Sequence, residues 1–328
     1  MFNNQTILVT GGTGSWGYEL VKQLLTYNPK EIRIFSRNES NQFTMKQEFD
    51  NNSKLNFVIG DIKERDSLIE ACQGVDYVFH LAALKHVPVC EDQPLEALKT
   101  NVTGTQNVID ASIICNVNRV IYISTDKAAN PSNFYGLSKA MGERLIIHAN
   151  TLNTKTRFVC IRGGNVLGTN GSVIHVFKKQ IREKGKIGIT DVNMTRFFLT
   201  LEDAIKLVFK ATSESIGGEI FVMKMPTCKI IDLAHVLIEA SNKTDIEIEI
   251  LGIRPGEKIH ELLLSEYEAT MTIAYDEEYF VILPPIHIEG LKEYYSEYKR
   301  VNLVNYNSSG ELMSKNEIKE LLKKGSFI

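Results

Sequence analysis

A tyrosine and a lysine four residues apart, Tyr135 and Lys139, supply the first candidate chemistry in this sequence. On a helix that spacing places both side chains on one face. A phenol with a pKa of about 10 is a poor base at neutral pH. An ammonium beside it stabilises the phenolate, and the pair then becomes a general base for a hydroxyl proton. The pattern is common by chance, so its weight depends on its surroundings. Just upstream the chain reads Ser124-Thr125-Asp126-Lys127, two hydroxyls followed by an acid and a base.

A second constellation opens the chain. Thr10-Gly11-Gly12-Thr13-Gly14-Ser15-Trp16-Gly17 follows an apolar run and precedes a helical pattern. Glycines at 11, 14 and 17 let backbone N–H groups approach a pyrophosphate at a helix N-terminus. Gly11, Thr13, Gly14, Ser15, Trp16 and Gly17 are therefore candidate cofactor contacts. The tip of the next strand-like run chooses the dinucleotide. NAD sites usually carry an acid there for the ribose hydroxyls, whereas NADP needs a cation for its extra phosphate. Here the run ends Phe35-Ser36-Arg37-Asn38, with no acid. Arg37 offers a planar bidentate donor and Ser36 a hydroxyl, so NADP is the expected cofactor. Arg37 as a mere solvated loop charge is the competing reading, and the glycine turn weighs against it.

Positioning these groups requires alternating strands and helices. Thr6–Thr10, Glu31–Phe35, Leu55–Ile59, Tyr77–His80 and Val120–Ile123 are short β-branched runs. Helical spacing of apolar residues lies between them, as at Glu19–Leu25 and Asn107–Ile114. This alternation predicts an α/β fold, a Rossmann-type doubly wound parallel sheet. The nucleotide-binding domain is expected over residues 1–162. Beyond Arg162 turn signals become denser: Gly163-Gly164-Asn165, Gly168 to Gly171, Gly217-Gly218 and Arg254-Pro255-Gly256. A smaller C-terminal substrate-binding domain is expected over 163–328, with later strands returning to the first sheet. Ser314-x-x-Glu317 reads as a capping box before a short docked helix carrying Ile318, Leu321 and Leu322.

The composition excludes several other classes. Of 328 residues, 43% are hydrophobic and 23% charged, an ordinary globular balance. A net charge of -3 offers no global attraction to nucleic acid or an anionic membrane. No apolar run approaches the roughly 18 residues a membrane span needs. The start, Met1-Phe2-Asn3-Asn4-Gln5, has no basic leader pattern. The 5 cysteines are scattered singly and the 7 histidines show no metal-ligand spacing. The expectation is a reduced cytoplasmic protein without metal, nucleic-acid or membrane partners.

Over nearly its whole length the chain resembles the soluble inverting UDP-N-acetylglucosamine 4,6-dehydratases, pseudaminic-acid-pathway type, of the extended short-chain dehydrogenase/reductase superfamily. The resemblance rests on the glycine turn, on Leu84-Lys85-His86-Val87-Pro88, and on the run from Ser124 to Pro131. It continues through Gly164-Asn165-Val166, Met194-Thr195-Arg196-Phe197, Gly217 to Val222 and Gly252 to Lys258. Trp16 stands where that family more often has phenylalanine, and Tyr306 to Gly310 only partly follows its Asn-rich pattern.

That resemblance implies NADP as cofactor, UDP-N-acetylglucosamine as substrate and a homo-oligomeric assembly. It also implies that Thr125 holds the substrate hydroxyl and that Asp61 and Ile62 lie at the adenine. Ala82, Lys85, Tyr135 and Lys139 fall along the cofactor, with Lys85 also near the sugar. Asn165, Arg196, Arg254 and Glu257 become candidate substrate contacts, the two arginines as diphosphate clamps.

A dehydratase must also remove the carbon 5 proton and protonate the departing hydroxyl at carbon 6. An adjacent Asp–Lys pair is ordinarily a surface ion pair of little weight. Between the fifth strand and the Tyr135 helix, Asp126 and Lys127 are better placed for that chemistry. In the mechanism the resemblance implies, Tyr135 takes the 4-hydroxyl proton, neutral Lys127 the carbon 5 proton, and protonated Asp126 feeds the leaving group. Both are minority forms in water, so burial and mutual coupling are expected to shift them toward neutrality. Competing readings are a retaining dehydratase, a nucleotide-sugar 4-epimerase that needs no Asp126–Lys127 chemistry, and a non-catalytic NADP-binding regulator.

Overall fold

The computed structural model describes residues 1–152, 154–169 and 171–328. Asn170, inside the turn-rich stretch from Gly168 to Gly171, lies outside the described residues. The chain opens with β1 (Thr6–Thr10), β2 (Glu31–Ser36), β3 (Leu55–Ile59), β4 (Tyr77–His80), β5 (Arg119–Thr125) and β6 (Arg157–Gly163). These pair in parallel in the order β3-β2-β1-β4-β5-β6. Parallel strands are covered by helices on both faces, so they read as near-continuous apolar runs. Every residue of β1 is buried, for example. The strand order reverses between β1 and β4, which opens a crevice at their carboxyl ends.

Later strands are β7 (Asn165–Val166), β8 (Lys186–Ile189), β9 (Thr195–Leu199), β10 (Ile220–Met223), β11 (Thr227–Lys229) and β12 (Glu247–Ile250). They are followed by β13 (Leu262–Leu264), β14 (Thr272–Ala274), β15 (Tyr279–Ile282) and β16 (Tyr306–Asn307). β10 joins β6 in parallel, and β15 and β14 add antiparallel at that edge, completing a 9-stranded sheet. The remaining strands form three small sheets, β11-β9-β7, β12-β8 and β13-β16.

Two apolar clusters hold the molecule together. The larger spans both faces of the main sheet. The smaller gathers Ile174, Phe177, Ile181, Ile187, Leu233 and Leu237 with the last helix. That helix, Lys315–Lys324, starts at a capping box in which the Ser314 and Glu317 side chains bond each other's backbone N–H. Ile318 and Leu322 dock it, while Leu321 is half-buried. Among the described residues, no helix is long and apolar enough to cross a membrane.

Candidate active site

The β1–β4 crevice continues into one cleft of about 770 Å³. That is within the range that holds a sizeable small-molecule ligand. Its floor begins at the glycine turn. Gly11 has φ +68° and donates its N–H to the Phe35 carbonyl at 2.8 Å. A Cβ there would lie 2.8 Å from the backbone of Ala82, so β1 and the β4 loop approach to a distance only glycine allows. The helix Ser15–Leu25 starts at Gly14 with no side-chain cap and no acid in its first turn. Its N-terminal amides therefore face the cleft as a positive dipole end.

At the tip of β2, Ser36 is buried and its hydroxyl oxygen accepts from Gln42 Nε2 at 3.0 Å. Its own proton remains available to an outside acceptor. Arg37 is 55% exposed along its side chain, with Nη1 3.6 Å from Asp61 Oδ2. Asp61 also lies 3.5 Å from Lys63 Nζ. Ile62 is buried, and with Ala82 and Lys85 it lines the same cleft.

The far wall carries the acid–base groups. Thr125 ends β5, and a short 3-10 turn, Asp126–Ala128, follows it. Asn133 then caps the helix Phe134–Ala149 by accepting from Gly136 N at 2.9 Å. Asp126 is fully buried. Its Oδ1 accepts from the Thr125 hydroxyl at 2.9 Å and from Lys127 Nζ at 3.0 Å, while Oδ2 is buried with no hydrogen-bond partner among the described residues.

Lys127 departs from the sequence expectation. Burial alone would lower its pKa, but the carboxylates of Asp126 and Glu261 outweigh it and hold the ammonium above its ordinary range. Glu261 Oε1 is 3.3 Å from Lys127 Nζ. The pair anticipated from sequence is thus a triad with two acids, which favours the charged lysine.

Tyr135 and Lys139 share the helix but not a contact. Lys139 Nζ donates to the Ile123 carbonyl at 2.7 Å and sits 3.8 Å from the centre of the Tyr122 ring. Burial brings its pKa down to about 7, against the pull of Glu143. Burial pushes the Tyr135 phenol up to about 12, and the cation that opposes this is Lys127. The β5 carbonyl claims the Lys139 ammonium in this arrangement, so Lys127 acts on the phenol instead.

The substrate-side candidates separate. Asn165, Arg254 and Glu257 line the cleft, and Arg254 is exposed at its mouth. Arg196 also lines it but is buried, with Nη1 donating to the Thr195 and Ile259 carbonyls at 2.7 and 3.1 Å. Its other nitrogens lie 3.6 Å from Glu257 and 3.6 Å from Glu261. Those donors are largely committed to the wall.

Sequence reading missed Glu261 and Asn101. Asn101 lies in a π-helical turn, Lys99–Thr103, and its side chain pairs with both backbone groups of Leu84 and with Ser138 Oγ. It ties the β4 loop to the Tyr135 helix, and π-turns often accompany functional sites. Neither residue has a local motif; a Gly-Glu-Lys run with a Glu soon after was the only hint of Glu261. Among the described residues, no group of three or more His, Cys, Asp or Glu could hold a metal.

Fold and site together define an extended short-chain dehydrogenase/reductase. Residues 7–283 match the family described as "Polysaccharide biosynthesis protein". The chain is 45% identical to the UDP-N-acetylglucosamine 4,6-dehydratase (inverting) of Campylobacter jejuni, over 87% of this chain and 85% of that one. It is 41% identical to the UDP-glucose 4-epimerase of Rickettsia rickettsii, over 98% and 96%. The X-ray structure of Pen from Bacillus thuringiensis superposes with a TM-score of 0.91 at 40% identity, covering 98% and 99%. The chain belongs to the polysaccharide biosynthesis protein family, and its relatives include proteins named as a sugar dehydratase and a sugar epimerase.

Proposed function

We propose that this chain is an NADP-dependent UDP-N-acetylglucosamine 4,6-dehydratase that inverts carbon 5. The observation that carries the reading is the part-buried Asp126–Lys127 contact of 3.0 Å beside Thr125 and Tyr135 in the cleft wall. An epimerase needs one base for the 4-hydroxyl and no second acid–base pair. A regulator needs neither.

The cleft suits the cofactor. Gly11 and Gly17 let the turn close against the Ala82 and Gly12 backbones, and the open helix N-terminus supplies donors for a pyrophosphate. Thr13, Ser15 and Trp16 flank it, Ser36 and Arg37 take the additional phosphate, and Asp61, Ile62 and Ala82 line the remainder. When bound, NADP supplies the hydride chemistry, accepting at carbon 4 and returning at carbon 6. Arg254, Asn165 and Glu257 hold the nucleotide sugar from the opposite side, with Lys85 at the loop between the two ligands.

Tyr135 loses its own proton to solvent first, helped by the Lys127 ammonium that opposes the rise of its pKa, and as the phenolate accepts the 4-hydroxyl proton, with Thr125 orienting that hydroxyl. In the resting protein Lys127 is held as an ammonium against the Asp126 side chain. One proton passing from Nζ to Oδ1 yields a neutral amine and a carboxylic acid. The 4-ketone acidifies the carbon 5 proton, and the amine takes it. The acid gives its proton to the 6-hydroxyl, which leaves as water while the carbon 5–carbon 6 double bond forms. The pair ends as it began, ammonium and carboxylate. General acid–base steps of this kind contribute about 10²–10⁴-fold each.

Incubation of the purified protein with UDP-N-acetylglucosamine and NADP, followed by proton NMR, tests the reading. A 4-keto-6-deoxy product is expected. A product differing only in configuration at carbon 4 would assign the epimerase activity that the Rickettsia relative bears by name.

A further inference from the structure

Glu261 is 3% exposed, yet it lines the cleft from the side opposite the catalytic turn. Its Oε1 lies 3.3 Å from Lys127 Nζ and 3.6 Å from Arg196 Nε, and its Oε2 is buried with no hydrogen-bond partner among the described residues. A buried carboxylate is retained at a cost unless charges or hydrogen bonds compensate it. Here the compensation comes from the two cations of the site.

The backbone around Glu261 is fixed with care. Its N–H donates to the fully buried Ser308 hydroxyl oxygen at 2.9 Å, and its carbonyl accepts from Ser308 N at 2.9 Å. Ser308 is locked in turn to the Thr195 hydroxyl at 2.7 Å. The preceding segment straps the catalytic turn from outside. Lys258 Nζ donates to the Ala129 and Asn130 carbonyls at 3.0 and 2.7 Å, and the Gly256 carbonyl accepts from Asn133 Nδ2 at 3.0 Å.

We infer that Glu261 is a positioning residue for the Asp126–Lys127 pair, holding the lysine amine against Asp126 and keeping one proton within the pair. The inference rests on the dehydratase reading and adds a third member to its acid–base group. Glu261 touches neither reacting carbon. It acts on Lys127, and it stabilises the ammonium that Lys127 becomes on taking the carbon 5 proton. The charged and titratable groups facing Lys127 are Asp126 beside it, Tyr135 on the following helix, Arg196 on β9, and Lys258 and Glu261 on the strap. Removing the Glu261 charge from this set lowers the proton affinity of Lys127.

Two measurements separate this role from a structural one. Competitive acylation with acetic anhydride, read by mass spectrometry on the free protein, reports the Lys127 amine without any substrate. Lys127 should resist acylation in the wild type, react at distinctly lower pH in Glu261→Gln, and return toward wild type in Glu261→Asp. With UDP-N-acetylglucosamine, Glu261→Gln should lower kcat roughly 10- to 100-fold, the scale of one charge-assisted contact. KM should hold, and the pH profile of kcat should move to lower pH. An unmoved acylation curve overturns the inference, whatever happens to kcat. A raised KM with unchanged kcat also overturns it, making Glu261 a substrate contact. If the wild type yields no 4-keto product, the dehydratase reading fails, and the acylation curve still decides Glu261.

Discussion

Gly136 and Lys127 meet so closely that a Cβ on the glycine would overlap the lysine's carbonyl oxygen. This contact sets the distance between the helix carrying Tyr135 and the turn carrying Asp126 and Lys127. Gly136→Ala must push the turn away, at a cost of about 1–3 kcal/mol of overpacking. A displacement of about 1 Å at a catalytic group can cost on the order of 100-fold in rate. The variant should therefore fold with a modestly lower Tm and lose far more turnover than stability. A melting curve beside a kcat measurement checks this, and wild-type turnover would show that the turn relaxes freely.

Removing Lys127 should damage two steps, because it acts on Tyr135 and, in the proposed mechanism, on the carbon 5 proton. Burial holds the Tyr135 phenol at about 12, with Lys127 opposing that rise. Lys127→Gln should slow formation of reduced cofactor in a single turnover and abolish water elimination. Tyr135→Phe should leave no reduced cofactor at all. Stopped-flow absorbance of the reduced nicotinamide separates them. Normal oxidation in Lys127→Gln would return the phenol's activation to Lys139.

The sheet was legible because parallel strands buried on both faces announce themselves as apolar runs. The glycine turn was legible because its glycines have a steric reason. What stayed hidden depended on long-range approach. Glu261 meets Lys127 across 134 positions, 261 minus 127, through a backbone anchor at Ser308. No local spacing encodes that meeting, so the expected neutral Lys127 emerges as an ammonium between two acids. Likewise, helical spacing put Tyr135 and Lys139 on one face but could not show that the Ile123 carbonyl takes the Lys139 ammonium.

Arg37 should determine the choice of dinucleotide. It has no acid competitor at the tip of β2, and the carboxylate it faces, Asp61, is 3.6 Å away on the next strand's loop. Arg37→Ala should weaken NADP binding by about 1–3 kcal/mol, the range of a charge-assisted contact, and leave NAD nearly unchanged. Calorimetric titration with both cofactors decides. Equal losses would make Arg37 a structural partner of Asp61.

His80 makes the fold sensitive to mild acid. It is buried between the Thr10 and Thr105 hydroxyls at 2.7 and 3.0 Å, and burial lowers its pKa to about 3. Between that value and the unfolded pKa of about 6.5, the unfolded chain binds the proton and the native one does not. Stability therefore falls as pH drops through this window, by up to about 1.4 kcal/mol per pH unit from this group. Denaturant unfolding should show a shallower loss for His80→Gln than for wild type below pH ~6.5. Parallel slopes would place the acid sensitivity elsewhere.

Stereochemistry at carbon 5 is the most exacting consequence of the dehydratase reading. Elimination leaves that carbon planar, so its returning proton arrives from either face. Retention needs Lys127 to give back the proton it took; inversion needs a donor on the opposite face. Lys127 is held to its own side by Asp126 at 3.0 Å and Glu261 at 3.3 Å. Both acids favour keeping the captured proton on the amine. In the proposed mechanism Tyr135, by contrast, carries the proton taken from the 4-hydroxyl, and its raised pKa favours holding it until a carbanion-like centre demands it. In deuterated water the product should gain deuterium at carbon 5. The first product formed should show the coupling pattern of the L-arabino 4-keto-6-deoxy sugar. Early time points containing only the D-xylo isomer would defeat inversion and assign the return of the proton to Lys127, leaving the dehydration itself intact.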